Sequence, residues 1–489
     1  AVPGHTMASP PVVPSPPVVP SPPVVPSPHA VPGPHATPGA HATPGPHATP
    51  GAPALQSAAR GPLLDVDESE EASVQKRFGP WKQIDRSDVA GLDERRARAL
   101  AQLVERYNRR TAGSKALTVE HRRHLSDPRA VSGFRTTWKE MVYPIAATRS
   151  KGSRIWDVDG NEYIDLRSGF GSVFFGHSPD FITSALHEQL ESGVQIGPTS
   201  PLVGRAARSI CDLTGMDRAT FCNTGSEAVL ATMRVARTVT GRDKIVVFSQ
   251  DYHGIFDEVL IRGVGKATPP KSRPIAPGIP DSAVDHVVVL DYGDPAALEW
   301  IAANGDDIAA VLIEPVQSRH PDLQPREFVK ALREVTRKSG SALIFDEVIT
   351  GFRLHPGGAQ AWYGIEADLA SYGKIIGGGM PIGVVAGRRR WMDALDGGQW
   401  QFGDDSFPEV GVTYFAGTFQ RHPLAIVAAL AVTEELQKKG PELQRSVGER
   451  CGRMVDFLND HFRAVGAPVH IERCESMFGF RYAEEHEFT

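Results

Sequence analysis

Cysteine is scarce, with four in 489 residues, and the spacings from Cys211 to Cys222, Cys451 and Cys474 are 11, 229 and 23. Neither the paired short spacings of a zinc site nor the density of a disulfide scaffold is present, so reduced thiols in a cytoplasmic protein are expected. No run approaches the 18 or so apolar residues of a membrane helix, and the first residues lack a basic patch ahead of an apolar core, which argues against a membrane span and a secretory signal. An excess of positive charge is also missing: 52 Lys+Arg face 58 Asp+Glu for a net charge of -6, which disfavours a nucleic-acid binder.

Charge is nearly absent from one end of the chain. Arg60 is the only Lys, Arg, Asp or Glu among the first 60 residues, and 18 of the 40 prolines fall within the first 53. Proline fixes φ and removes amide donors, so residues 1–63 cannot bury a core and are expected to form an extended, disordered linker. Its repeats, Val-Pro-Ser-Pro-Pro-Val and then His-Ala-Thr-Pro-Gly, suit a semi-rigid spacer with something tethered upstream. Residues 64–115 turn abruptly to charge. Leu92, Leu100, Leu103 and Val104 share one stripe there, predicting an amphipathic helix that docks on the domain C-terminal to it.

Beyond residue 153 the pattern is that of an α/β domain. Arg154–Leu166 predicts a hairpin turning at Asp159-Gly160, a dipeptide suited to positive φ angles. Short apolar strands are predicted at 219–223, 244–249, 286–290, 309–314, 342–346, 370–373 and 382–386. Helices are predicted at 226–239, 295–303, 326–338 and 424–438. Such alternation implies a largely parallel sheet covered on both faces, with ligands bound outside the carboxyl ends of its strands.

Those strand ends carry the candidate chemistry. Asn223-Thr-Gly-Ser-Glu-Ala228 joins a strand to a helix: Gly225 lets the backbone approach an anion while Ser226 and free amides donate to it. The same hexapeptide also suits a capped helix start with no ligand. The strand ending in Asp346-Glu347 precedes Lys374 by 28 positions, and Lys374 is followed by Gly377-Gly-Gly379. A desolvated lysine there would be a nucleophilic amine able to form a Schiff base with an aldehyde; a lysine snorkelling to solvent is the alternative.

Together with Asp251-Tyr-His-Gly254, Glu314-Pro-Val-Gln317, Phe345–Arg353 and Gly417-Thr418, these motifs follow the order and spacing of the class III pyridoxal-phosphate aminotransferases, which the chain resembles over about residues 116–489. Within that family the resemblance is nearest to glutamate-1-semialdehyde aminomutase and to aminotransferase domains of hybrid polyketide–nonribosomal peptide synthases. It implies fold type I: a large α/β domain at 196–420, and a smaller α+β domain built from both chain ends, 116–195 and 421–489, the latter cut short. The implied cofactor is pyridoxal 5'-phosphate. Lys374 would hold it covalently and shuttle protons, Asp346 would pair with its pyridine nitrogen, and Tyr252 would stack on its ring. Gln317 would meet its phenolic oxygen, Gly225 and Ser226 its phosphate, and Thr418 the phosphate of a neighbouring subunit in a homodimer. His253, Glu227 and Glu347 are left to structural roles, Arg353 to a substrate carboxylate or a structural ion pair, and Phe170, Phe174, Phe175 and Trp362 to the core.

The implied reaction moves an amino group from an amino-acid donor to a keto group, with a β-ketoacyl thioester on a carrier domain as the expected acceptor. A free-standing aminomutase or ω-aminotransferase is the alternative within the class. A non-catalytic docking module is the alternative outside it, and intact Lys374 and Asp346 speak against that.

Overall fold

The computed structural model describes residues 92–131, 134–265 and 269–482. The spacer at 1–63, most of the charged segment at 64–115 that precedes the helix, and the chain end at 483–489 lie outside the described residues.

Seven strands make one sheet: β1 Arg218–Cys222, β2 Lys244–Phe248, β3 Val287–Leu290, β4 Ile308–Ile313, β5 Ala342–Asp346, β6 Leu369–Tyr372 and β7 Gly383–Gly387. Their spatial order is β1-β7-β6-β5-β4-β2-β3. Pairs β2/β3, β2/β4, β4/β5 and β5/β6 are parallel, whereas β7 runs antiparallel to both β6 and β1. Only residues 373–382 join β6 to β7, too few for the crossover a parallel pair needs.

Every residue of β4 and β5 is buried, as expected of strands covered on both faces. Alternation then sorts their side chains. Val311, Ile313, Leu343 and Phe345 enter one core, and Ala310, Leu312, Ala342 and Ile344 enter the other. The eight helices that matter are α1 Glu94–Arg110, α2 Asp180–Ser192, α3 Leu202–Thr214, α4 Gly225–Thr240, α5 Pro295–Ala303, α6 Arg326–Ser339, α7 Pro423–Lys439 and α8 Glu442–Ala464. Helix α4 fills the second core through Ala228, Met233, Val235 and Ala236; α3, α6 and α7 fill the first through residues such as Ile210, Leu332 and Ile426. Helix α7 also packs on the turn that carries Lys374.

Smaller elements flank this body. Ala147–Lys151, Arg154–Asp157 and Glu162–Ile164 form an antiparallel sheet whose last turn holds Gly160 at φ +79. Near the C-terminus, Val469–Cys474 pairs with Met477–Tyr482, and Asn459 of α8 exchanges two hydrogen bonds with Ile471. Docking of α1 is confined to its end: Tyr107 packs on Tyr143 and Arg110 donates to Asn161, while Leu92 and Leu103 stay exposed.

Two expectations change. Phe170 is not core but 68% exposed, because Ser168, Gly169, Phe170 and Gly171 all have positive φ and turn its ring outward, under the Arg167 guanidinium. Arg353 has no carboxylate partner among the described residues; its buried guanidinium donates to the carbonyls of Ile349 and Gly171 and to Ser476 Oγ. It thereby ties the N-terminal segment and the C-terminal hairpin to the loop after β5.

Candidate active site

Strands β5 and β6 run parallel and release Asp346 and Lys374 at the same carboxyl edge of the sheet. Lys374 sits there with φ +48, a left-handed conformation costing an L-residue roughly 1–2 kcal/mol. Its ammonium makes no hydrogen bond or ion pair among the described residues. Burial lowers its pKa, Asp346 and Glu314 partly offset that, and Arg353 adds to the lowering.

Asp346, 4% exposed, is fixed on both oxygens. Oδ1 accepts from Val348 N at 3.1 Å and from Ser371 Oγ at 3.2 Å; Oδ2 lies 2.8 Å from His253 Nδ1. His253 is also buried, and its Nε2 stands 3.4 Å from Asp251 Oδ2 in ion-pair but not hydrogen-bond geometry. Burial acts to lower the imidazole pKa, but the facing carboxylates of Asp251 and Asp346 overcome it and hold His253 up at about 10. An imidazolium at neutral pH therefore separates two carboxylates.

A third carboxylate completes this buried group. Glu314 ends the β4 segment, accepts from Tyr252 N at 2.9 Å, and is pushed up to about 8 by burial and by Asp251 and Asp346 beside it. Asp251 accepts from Glu314 N at 3.1 Å and from Gln317 Nε2 at 2.7 Å, and burial raises its pKa too. Gln317 gives its other bond to Ser249 O at 2.8 Å, so its amide is turned toward the loop after β2. The backbone amide of Tyr252 is thus anchored while the residue stays 44% exposed, available to a flat partner.

Beside this group, β1 hands over to α4. Thr224 caps the helix by accepting from Glu227 N at 3.1 Å, and Glu227 reaches back to Asn223 N at 2.7 Å. That leaves the amides of Gly225 and Ser226, in the first helical turn, without intrahelical acceptors. Two glycines bring this turn up to the rest. A Cβ on Gly254, at φ +118, would lie 2.4 Å from Ser226 Oγ, and one on Gly373 would lie 3.7 Å from Gly225 Cα. The turn, the Tyr252–Gly254 segment and the root of Lys374 therefore meet.

Glu347 stands behind them. It accepts from Thr350 Oγ1, Ala359 N and Gln360 N, and burial pushes it to about 7 in spite of those bonds. Gly417 and Thr418 lie in an exposed stretch, where Gly417 O accepts from Gln420 N, and among the described residues neither hydrogen-bonds to this group. Among the described residues no cluster of His, Cys, Asp and Glu suits a metal ion, and no helix is long and apolar enough to cross a membrane.

This chain is similar to known proteins. The family model described as aminotransferase class III matches residues 136–476. The glutamate-1-semialdehyde 2,1-aminomutase of Aquifex aeolicus is 38% identical over 323 residues, covering 65% of this chain and 73% of the relative. That of Sulfurihydrogenibium azorense is 39% identical over 342 residues, covering 68% and 75%. A solved β-phenylalanine aminotransferase from Variovorax paradoxus superposes with a TM-score of 0.66 at 30% identity, over 79% of this chain and 83% of that one. A glutamate-1-semialdehyde aminomutase from Pseudomonas aeruginosa gives 0.68 at 26%, over 80% and 85%. A desolvated, unpaired Lys374, a buried Asp346 beside it and open amides at Gly225 and Ser226 fit the cofactor of that family. The chain belongs to the class III aminotransferases, of fold type I, and is a pyridoxal-phosphate-dependent aminotransferase.

Proposed function

We propose that this aminotransferase transfers an amino group from an amino-acid donor to the β-keto carbon of an acyl thioester carried on a neighbouring carrier domain. The observation that carries this reading is the proline-rich, nearly uncharged stretch at 1–63 ahead of the catalytic body. A spacer of that kind raises the effective concentration of a tethered substrate and does nothing for one that diffuses freely. The β-phenylalanine aminotransferase among the solved relatives, named for a β-amino acid, supports amination at the β position.

Each side chain then has a task. The bound cofactor supplies an aldehyde that links to an amine and a cationic ring that draws electrons from the substrate carbon. Lys374, desolvated and unpaired, anchors the cofactor and afterwards moves a proton at its Nζ. Asp346 would pair with the pyridine nitrogen, and His253, 2.8 Å from its Oδ2, aims that side chain. Tyr252 would stack on the ring. Gln317 gives its Nε2 hydrogens to Ser249 O and Asp251 Oδ1, so it would meet the phenolic oxygen only by giving up one of those bonds; Gly225 with Ser226 would bind the phosphate.

The active unit is a homodimer in which Thr418 of the partner subunit reaches the phosphate. Trp400, Phe402, Phe407, Val412, Tyr414 and Phe419 are all exposed within one short stretch, an apolar surface that suits a second copy. The reaction is assigned to the cytoplasm, in keeping with four free cysteines.

A second reading, a free-standing aminomutase, is favoured by the names of the relatives at 38–39% identity. Mass spectrometry separates the two. A β-ketoacyl chain on a phosphopantetheine-bearing carrier protein, incubated with cofactor-loaded enzyme and a panel of amino acids, is expected to exchange its carbonyl oxygen for an amine. Efficient turnover of glutamate-1-semialdehyde, with the carrier-bound chain untouched, would establish the aminomutase instead.

A further inference from the structure

Helix α1 lies ahead of the residues 136–476 that the family model matches, and none of its residues is buried. Tyr107, Asn108 and Arg110 tie it to the body near its C-terminal end. Leu100, Val104 and Tyr107, all half-buried, share its inner face. With 3.6 residues per turn, Arg95, Arg98, Arg106 and Arg109 fall within about 60° of the opposite line, Gln102 among them. All four arginines are exposed. The one acid on that outer face, Glu105, stands 3.6 Å from Arg109.

Other acids nearby are spent or turned aside. Asp93 caps the helix and faces Arg96, and Glu94 lies off this face in the first turn. Glu140 holds Lys115 at 2.7 Å, and Asp159 accepts from the amides of Gly113 and Ser114. Among the described residues Arg95, Arg98 and Arg106 meet no acid. Over residues 92–125 nine Lys and Arg face four Asp and Glu, in a chain whose net charge is -6. Arg95 and Arg98 are like charges three positions apart, as are Arg106 and Arg109, an arrangement that weakens an isolated helix. A face that breaks this local rule without burial to offset it is expected to have a use.

We propose that the arginine face of α1 docks an acidic surface of the carrier domain that presents the acyl thioester. The inference rests on the carrier-bound reading given above. Two observations favour that occupant. The stretch read as a spacer joins the catalytic body through α1, its first described element, so a domain on that spacer is held near this helix at raised effective concentration. Exposed arginines on an otherwise acidic molecule select a partner of opposite sign, chiefly by speeding encounter. A second copy of the chain would set arginine against arginine.

The test compares two substrates of the cofactor-loaded enzyme: a β-ketoacyl chain on an acidic carrier protein, and the same chain on free pantetheine. Combining Arg95→Gln, Arg98→Gln and Arg106→Gln should raise KM for the carrier-bound chain at least about fivefold at low salt, the share expected of three exposed charge pairs. It should also flatten the salt dependence and leave kcat/KM for the pantetheine thioester unchanged. Lysine at the same three positions should keep the wild-type KM, which separates charge from folding. An unchanged KM in the glutamine variant, an equal loss on both substrates, an equal loss in the lysine variant, or wild-type enzyme that binds duplex DNA more tightly than the carrier would each overturn the docking inference. Those outcomes leave the carrier-bound reading standing as long as the carrier-bound chain is aminated. If neither thioester is aminated, that reading falls and this inference with it.

Discussion

Replacing His253 with Gln removes the cation that stands between Asp346, at 2.8 Å, and Asp251, at 3.4 Å. The substitution keeps polarity and approximate size, so its effect reports on charge. Removing one partner of a buried ion pair costs on the order of 3–5 kcal/mol, since the remaining carboxylates have neither water nor counter-charge. For a body of this size that corresponds to a fall of roughly 5–10 °C in Tm at pH 7. The pH dependence has a definite sign. The folded pKa of His253, about 10, lies above the ordinary 6.5, so its stabilisation is complete below about 6.5 and disappears as pH rises through 10. Thermal unfolding of both proteins across that window should show the Tm gap widest at the acid end and nearly closed at the alkaline end. A gap below about 2 °C at pH 7, or one that widens with pH, would refute the charged-histidine account.

Asp346→Asn keeps the contacts to Ser371 and Val348 but removes the negative charge; it should retain the cofactor and lose roughly a hundredfold or more in rate. Half the wild-type rate in that variant would remove Asp346 from its assigned task. Gly254→Ala puts a Cβ 2.4 Å from Ser226 Oγ at φ +118, so cofactor affinity should fall at least about tenfold, measured by dialysis, while Gly278→Ala, with open space around it, should leave affinity unchanged. Mixing Lys374→Ala chains with Thr418→Ala chains should restore activity through a heterodimer with one undamaged site. Full activity in a protein that sediments as a monomer contradicts the shared site.

Much of the large domain is legible because its strands are buried on both faces and read as short apolar runs. β5 falls at 342–346 as the sequence predicts, and α5 at 295–303, bounded by an Asp294 cap and Pro295. Helix α8 has no such signature: its buried positions include Gly448 and Gly452, which admit Glu475 and Arg473, so no apolar stripe marks it. Helix α2 buries only Ile182 fully and is equally silent. The reversed direction of β7 was latent in the shortness of 373–382. The role of His253 is hidden in the sequence for another reason. Its partner Asp346 lies 93 positions away, and Glu314 reaches Tyr252 across 62, so the network exists only once β2, β4 and β5 are side by side. Gln317 is foreseen as a site residue, yet its bonds to Ser249 and Asp251 depend on the same assembly.

The central claim is that Lys374 is the amine that bonds the cofactor, and borohydride reduction of the loaded enzyme followed by peptide mapping measures it directly. The account predicts a yellow protein that bleaches on reduction and a single stable adduct on the peptide containing Lys374, absent in Lys374→Ala. An adduct on any other lysine, or a Lys374→Ala protein that still takes up covalent label, would contradict it.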